Sequence, residues 1–397
     1  MRPTPSAGEP FEVDHALPDS DAFSEQIRHA SSLKYIPGLD GLRAIAILGV
    51  MFFHFVSFYQ AQLSAAGPLW AAIANLCKTG WMGVDLFFAL SGYLVTRVIA
   101  SAKHIDAGFY RRYIARRARR LLPAYLSCVV LVTILLLVAN PSSKVLHNSY
   151  LLWTFTPDFQ TLLGSDRMAL GDQYVSLVHF WTLALEWQFY LLFPIVVVLC
   201  RSITRAAVAL IAIAIACRTV LHVIGASDNG IYSFLFCRID SLAFGCLFAV
   251  NPGYRLIPYR RPLLLLSLMA LAVVIYCIDV DPIAFKLIDW LQIIGYSVIG
   301  AAFAVVVWFV ATSPRHSVTL KWLEHPLLSA LGRSSYSLYI WHLIFYPSIV
   351  LFVNAHIADG RLAAIAAFGI GMASAAILGA LSFRWIEWSM IAKRRPT

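Results

Sequence analysis

Several ionisable side chains stand in stretches of this chain that are otherwise apolar, and two pairs of them have helical spacing. Arg43 and His54 lie eleven residues apart. On a helix, eleven residues return to within about 20° of the same face, about 16 Å further along the axis. His179 and Glu186 are seven residues apart and share a face in the same way. Asp85, Arg97, Arg238 and Asp240 complete the set. A histidine can take the proton of a hydroxyl when a carboxylate orients its ring and stabilises the imidazolium. Arginine's planar fork of donors suits phosphate. The set suits proton abstraction and acyl transfer, with His54 as general base or transient acyl carrier. Asp85 or Glu186 is the expected acidic partner, and the residues alone do not choose between them.

Composition dictates what must position these groups. Of 397 residues, 60% are hydrophobic and 13% charged, and mean hydropathy is +0.73. A soluble chain carries about 25% charged residues, so the solvent for this one is a bilayer. The net charge of +10 does not point to nucleic acid, because the cationic residues gather at the ends of apolar runs. The seven cysteines show no CxxC or Cys/His spacing, so neither a metal site nor a disulfide framework is expected. Residues 1–34 are polar, with Pro3, Pro5 and Pro10, and lack the order of a cleavable signal peptide. They are expected to form a disordered tail, followed by a membrane domain over 35–388 and a short tail over 389–397.

The expected fold is all-α, a bundle of ten spans near 36–60, 80–100, 121–139, 179–200, 206–224, 233–250, 263–279, 290–311, 334–353 and 362–383. Connections are short except 140–178, which holds Trp153, Pro157, Gly164 and Gly171 and is expected to be partly re-entrant. One set of alternate loops carries 22 Lys and Arg, the other 5, which predicts that both termini are cytoplasmic. That orientation puts Arg43 and Arg97 near the cytoplasmic side. It puts His54, Asp85, His179, Glu186, Arg238 and Asp240 at compatible depths in the outer half, from four helices.

Plainer readings exist for each. A lone intramembrane His or Asp can be hydrogen-bonded glue between helices. Arg238 and Asp240 can be a structural ion pair. The arginines from Arg111 to Arg120 can simply fix topology, and Asp279, Asp281 and Asp289 read as solvated loop charges. What favours chemistry is the joint occurrence of a deep histidine, carboxylates at its depth and an arginine track leading inward. A competing class is a transporter using the same polar cavity, though no repeats or paired interrupted helices are found. A non-catalytic scaffold would not need Arg43 and His54 in register.

Together these segments resemble the bacterial membrane-bound acyltransferase family 3, the group that includes O-antigen and exopolysaccharide acetyltransferases. The resemblance is carried by GLDGLRAIAILGVMFFHF (38–55), GVDLFFALSGYLVT (83–96), FYRRYIARRARRLLPAY (109–125), HFWTLALEWQFYLLFP (179–194), CRIDSLAFG (237–245), LGRSSYSLYIWHLIF (331–345) and FRWIE (383–387). Thr182 stands where the family pattern has Ser, and Trp187 where many members carry a second Glu. The resemblance implies an enzyme of the bacterial inner membrane. It would pass an acyl group, commonly acetyl, from cytoplasmic acyl-CoA to a hydroxyl of a cell-envelope glycan or glycolipid, with no tightly bound cofactor. A secondary metabolite such as a macrolide is an alternative acceptor. The short segment after the tenth span implies a stand-alone enzyme without the SGNH-type domain of some members. Implied catalytic residues are His54 with Asp85 and Glu186. Donor contacts would come from Arg43, Arg97, Arg111, Arg112, Arg116, Arg119 and Arg120, and acceptor or structural polar roles fall to Ser91, His179, Arg238, Asp240 and His342.

Overall fold

A segment in hydrocarbon must satisfy every backbone N–H and C=O internally, so the apolar runs of this chain become helices. The computed structural model describes residues 35–102, 104–162, 170–250, 255–280 and 291–387. The tails expected at 1–34 and 389–397, together with Gly164, Asp281 and Asp289, lie outside them. Among the described residues there is no strand, only an isolated antiparallel bridge between Gly171 and Ser176. Nine helices there are long and apolar enough to cross a membrane, and a bent pair makes up to ten.

The first span is α1 (Leu39–Ser57). Helix α2 (Pro68–Lys78) runs through a tight turn at Thr79–Met82 into α3 (Gly83–Ala100), so the second span begins well before residue 80. The arginine segment is also not a loop. It forms the first turns of α4 (Ala107–Ala139), capped by the Asp106 side chain on the Phe109 N–H. The long connection that follows contains the short helix α5 (Pro157–Leu162). Then come α6 (Phe180–Cys200), α7 (Ile203–Val223), α8 (Leu235–Ala249), α9 (Arg260–Val280) and α10 (Tyr296–Ala311).

The expected span 334–353 is broken. Helix α11 (Pro326–Arg333) leads into α12 (Ser335–Trp341), and α13 (Tyr346–His356) departs from it at 57°. Pro347 sits in the first turn of α13. In a continuous helix it would lack its N–H bond and clash with the carbonyl four residues earlier. The closing helix is α14 (Gly360–Ser382).

Between α3 and α8 the backbones nearly touch. A Cβ added at Gly92 would lie 1.9 Å from the Leu242 carbonyl oxygen, and one at Gly245 2.2 Å from that of Ala89. Small residues of this kind let membrane helices approach closely. That approach brings Asp85 on α3 against Arg238 and Ser241 on α8.

Candidate functional site

Two chambers lie along α1, one at each end of the Arg43–His54 stretch. The first encloses about 730 Å³ of space between atoms, counting its open mouth. Arg43, Arg117 and Arg120 line it with one carboxylate, Glu186, and with Ser91, Thr182 and Tyr190. Its remaining walls include Phe87, Phe88, Leu94, Leu121 and Leu183. The second is a narrower space, about 320 Å³ between atoms counting its open side, lined by His54, His179, Trp81, Trp181, Tyr232 and Phe53, among others. Val84 and Tyr339 line both. The Tyr339 hydroxyl lies 2.6 Å from that of Thr182, which itself donates to the His179 carbonyl at 2.9 Å.

In the arginine chamber Arg43 is paired with Asp40 at 2.6 Å, one turn earlier on α1. The Arg117 guanidinium stacks over the Tyr190 ring at 4.8 Å. Glu186 accepts hydrogen bonds from the hydroxyls of Ser91 and Tyr190. With Arg43 matched by Asp40, Arg117 and Arg120 against Glu186 still leave the cavity an excess of positive charge beside an apolar inner wall. The sequence points to the arginine segment as a whole, and the helix decides which of its members face the cavity. On a helix, Arg117 and Arg120 share a face. Arg111, Arg112, Arg116 and Arg119 are exposed and lie outside the cavity lining, as does Arg97 in the last turn of α3.

The histidine chamber has a different chemistry from the one expected. His54 Nδ1 lies 2.9 Å from Nε2 of His342, and Nδ1 of His342 lies 2.7 Å from the Tyr339 carbonyl oxygen. A carbonyl only accepts, so a neutral His342 carries its proton on Nδ1 and presents a lone pair at Nε2. His54 must then donate from Nδ1, which leaves its own Nε2 as a proton acceptor. The third ring, His179, lies 3.1 Å through Nε2 from the Ile340 carbonyl oxygen, with its centroid 4.7 Å from that of His342. Both carbonyls belong to the last turn of α12. A helix end leaves such groups without intrahelical partners, and the break before Pro347 makes them available to the two imidazoles.

The carboxylates proposed as partners of His54 are engaged elsewhere. Asp85 is fully buried and accepts from Arg238 at 2.7 and 2.8 Å and from Ser241 at 2.8 Å. The Arg238 guanidinium also stacks on Tyr296 and Tyr232, at 4.3 and 5.0 Å. Glu186 faces the arginine chamber, because seven residues displace it about 10 Å along α6 from His179. Arg238 and Asp240 are not a pair. Residues two apart on a helix point away from each other, and Asp240 is bound by Arg218 at 2.8 Å and Ser297 at 2.5 Å. Arg218, a residue without an expected role, thus anchors α7 to α8.

Bundled spans enclosing an arginine-lined cavity that abuts a histidine chamber make this a multi-pass membrane protein with an internal polar site. The family model for acyltransferase 3, described as an acyltransferase domain, matches residues 36–383, and the chain belongs to that family. It is 28% identical over 377 residues to O-acetyltransferase OatA of Staphylococcus aureus strain NCTC 8325 / PS 47, covering 90% of this chain and 57% of that protein. It is 26% identical to the putative O-acetyltransferase SACOL0978 of Staphylococcus aureus strain COL, with 89% and 57% covered. The chain thus spans little more than half the length of these relatives. No solved structure matches it.

Proposed function

We propose that the protein is a membrane O-acyltransferase, moving an acyl group, acetyl by analogy with the named relatives, from acyl-CoA to a hydroxyl. The observation that carries this reading is the chain from the Tyr339 carbonyl through His342 to His54, which sets the His54 tautomer with its proton on Nδ1, in a chamber that abuts the arginine-lined cavity. Arg43, Arg117 and Arg120 bind the donor's phosphates, and the exposed arginines of α4 extend the basic surface at the entrance. The pantetheine arm lies along Phe87, Phe88 and Leu183, and the thioester reaches the boundary at Val84 and Tyr339. The acceptor enters from the histidine chamber. His54 Nε2 takes its hydroxyl proton as the oxygen attacks the acyl carbon. The new C–O bond forms, the C–S bond breaks, and the CoA thiolate recovers the proton from His54.

The excess of Lys and Arg on one set of loops supports cytoplasmic termini and donor entry from the cytoplasm. The acceptor then meets His54 from the outer face of the bacterial inner membrane, where envelope glycans and glycolipids are within reach. Membranes carrying the wild type, His54→Ala or Arg117→Ala, supplied with radiolabelled acetyl-CoA, test this reading. Label on an envelope glycan is expected with the wild type. His54→Ala should lower turnover by about a hundredfold or more, as loss of a general base does. Arg117→Ala should raise the donor KM roughly tenfold, the value of one charge-assisted contact. Full activity in a stable His54→Ala protein would sink the assignment.

A further inference from the structure

Two thiols that the proposed chemistry does not use lie against each other. The Cys237 S–H points at Cys217 Sγ across 3.6 Å, too long for a bond and within reach of one if the two side chains turn. Twenty residues separate them in the sequence, so no motif marks them. Cys217 lies in the last two turns of α7 and is half-buried; Cys237 lies in the first turn of α8 and is fully buried. The two helices are tied together at this level. Arg218, next to Cys217, donates to the Cys237 carbonyl, to Asp240 at 2.8 Å and, from Nε, to the Ile293 carbonyl at 2.7 Å. A buried cysteine is ordinarily a small apolar filler, as Cys128 is in the core of this bundle. Two facing sulfurs on separate, mutually anchored helices are a dithiol. The connection between them carries Tyr232, a wall of the histidine chamber.

We infer that Cys217 and Cys237 are a redox-active pair, which closes to a disulfide by exchange with an external disulfide and so staples the hairpin that holds Tyr232. The inference stands apart from the acyltransferase reading, since it needs no acyl donor or acceptor. Cys217, the more exposed thiol, reacts first. Its thiolate attacks one sulfur of a disulfide R–S–S–R, a bond forms between Cys217 Sγ and that sulfur, and RS⁻ leaves. The Cys237 thiolate then attacks Cys217 Sγ, the bond from Cys217 to the SR group breaks, and a second RS⁻ leaves. The two leaving thiolates take up the protons that the cysteines gave up. The pair thus loses two electrons, and the external disulfide becomes two thiols. With the termini cytoplasmic, as proposed, the pair lies toward the outer face, where thiols meet disulfides.

The test treats membranes containing the full chain with bis(2-hydroxyethyl) disulfide, a membrane-permeant probe, followed by denaturation, maleimide labelling of free thiols and peptide mass mapping. The wild type should label two fewer cysteines than after reduction with dithiothreitol, and its map should show the Cys217 and Cys237 peptides joined. Cys237→Ser should stop halfway, with one mercaptoethanol group held on Cys217. Cys217→Ser should keep Cys237 as a free thiol. In detergent the oxidised wild type should melt a few degrees above the reduced form, as expected when a cross-link restricts the unfolded chain, and Cys217→Ser should show no such difference. Both peptides unlinked and still labelled in the treated wild type overturn the proposal, a result that needs no variant to fold. A bond from either cysteine to any other, or between two chains, overturns it equally. A linked wild type with no gain in thermal midpoint overturns the staple.

Discussion

Replacing His342 tests the proton chain at the link that touches neither substrate. In the intact site the Tyr339 carbonyl holds His342 at 2.7 Å, and His342 accepts from His54 at 2.9 Å. As His54 gains a proton, that second bond changes from neutral to charge-assisted. Such bonds contribute about 1.5–3 kcal/mol, against about 0.5–1.5 for neutral ones. His342→Ala removes the gain and also frees His54 to adopt the tautomer whose Nε2 is blocked. The two losses together come to about 2–3 kcal/mol, a fall in kcat of roughly 30- to 150-fold. The donor KM should stay within about threefold, since binding rests on arginines of the other chamber. His342→Gln can place Oε1 where Nε2 stood and should recover about tenfold of the loss. Initial rates with labelled acetyl-CoA, normalised to the protein present in the membrane, give both parameters. A His342→Ala enzyme within threefold of wild-type kcat would refute the relay. Equal losses in the Ala and Gln variants with a raised donor KM would show that only packing had been damaged.

Two further outcomes separate structure from chemistry. Asp85→Asn should leave Arg238 as an uncompensated buried charge, which costs about 3–5 kcal/mol. The expected result is poor accumulation and a lowered thermal midpoint in detergent; a stable Asp85→Asn protein with only kcat reduced would return Asp85 to the role of His54's partner. Asp158, in the connection after α4, is buried against α6 and the start of α8, where it accepts from Gln188 at 3.0 Å and from the Leu235 N–H at 3.4 Å. Burial raises its carboxyl to about 6, although those bonds favour the charged form. The folded state therefore holds the proton more tightly than the unfolded chain. The resulting stability is full below about pH 4 and is lost as pH rises through about 6, by at most about 3 kcal/mol. Across that interval the wild type's thermal midpoint should fall relative to Asp158→Asn; parallel curves would contradict the assignment.

Hydropathy made the spans legible because length and apolar content are what a bilayer selects, and the Arg43–His54 register followed from helix geometry alone. The partners were less legible. The pairing of Arg238 with Asp240 was excluded in principle by their two-residue spacing, yet which carboxylate replaces Asp240 depends on the close approach of α3 and α8 at Gly92 and Gly245. Glu186 was placed at the depth of His54 although seven residues carry it about 10 Å along its helix. The arginine segment was legible as a whole, but that Arg117 and Arg120 are the members lining the cavity follows only from its being a helix.

The decisive signal was a proline. Both halves of 334–353 are apolar, so a hydropathy window sees one span, and Pro347 alone marks the break. That break has two consequences at one place. It leaves the carbonyls of Tyr339 and Ile340 to fix the tautomers of His342 and His179. It also points the negative end of α12 at the histidines, where positive charge would develop as a hydroxyl is deprotonated. A carboxylate beside His54 would give comparable stabilisation, but at the expense of burying a full charge. In this protein, backbone carbonyls joined through a neutral histidine occupy the place where the sequence suggested an acidic residue.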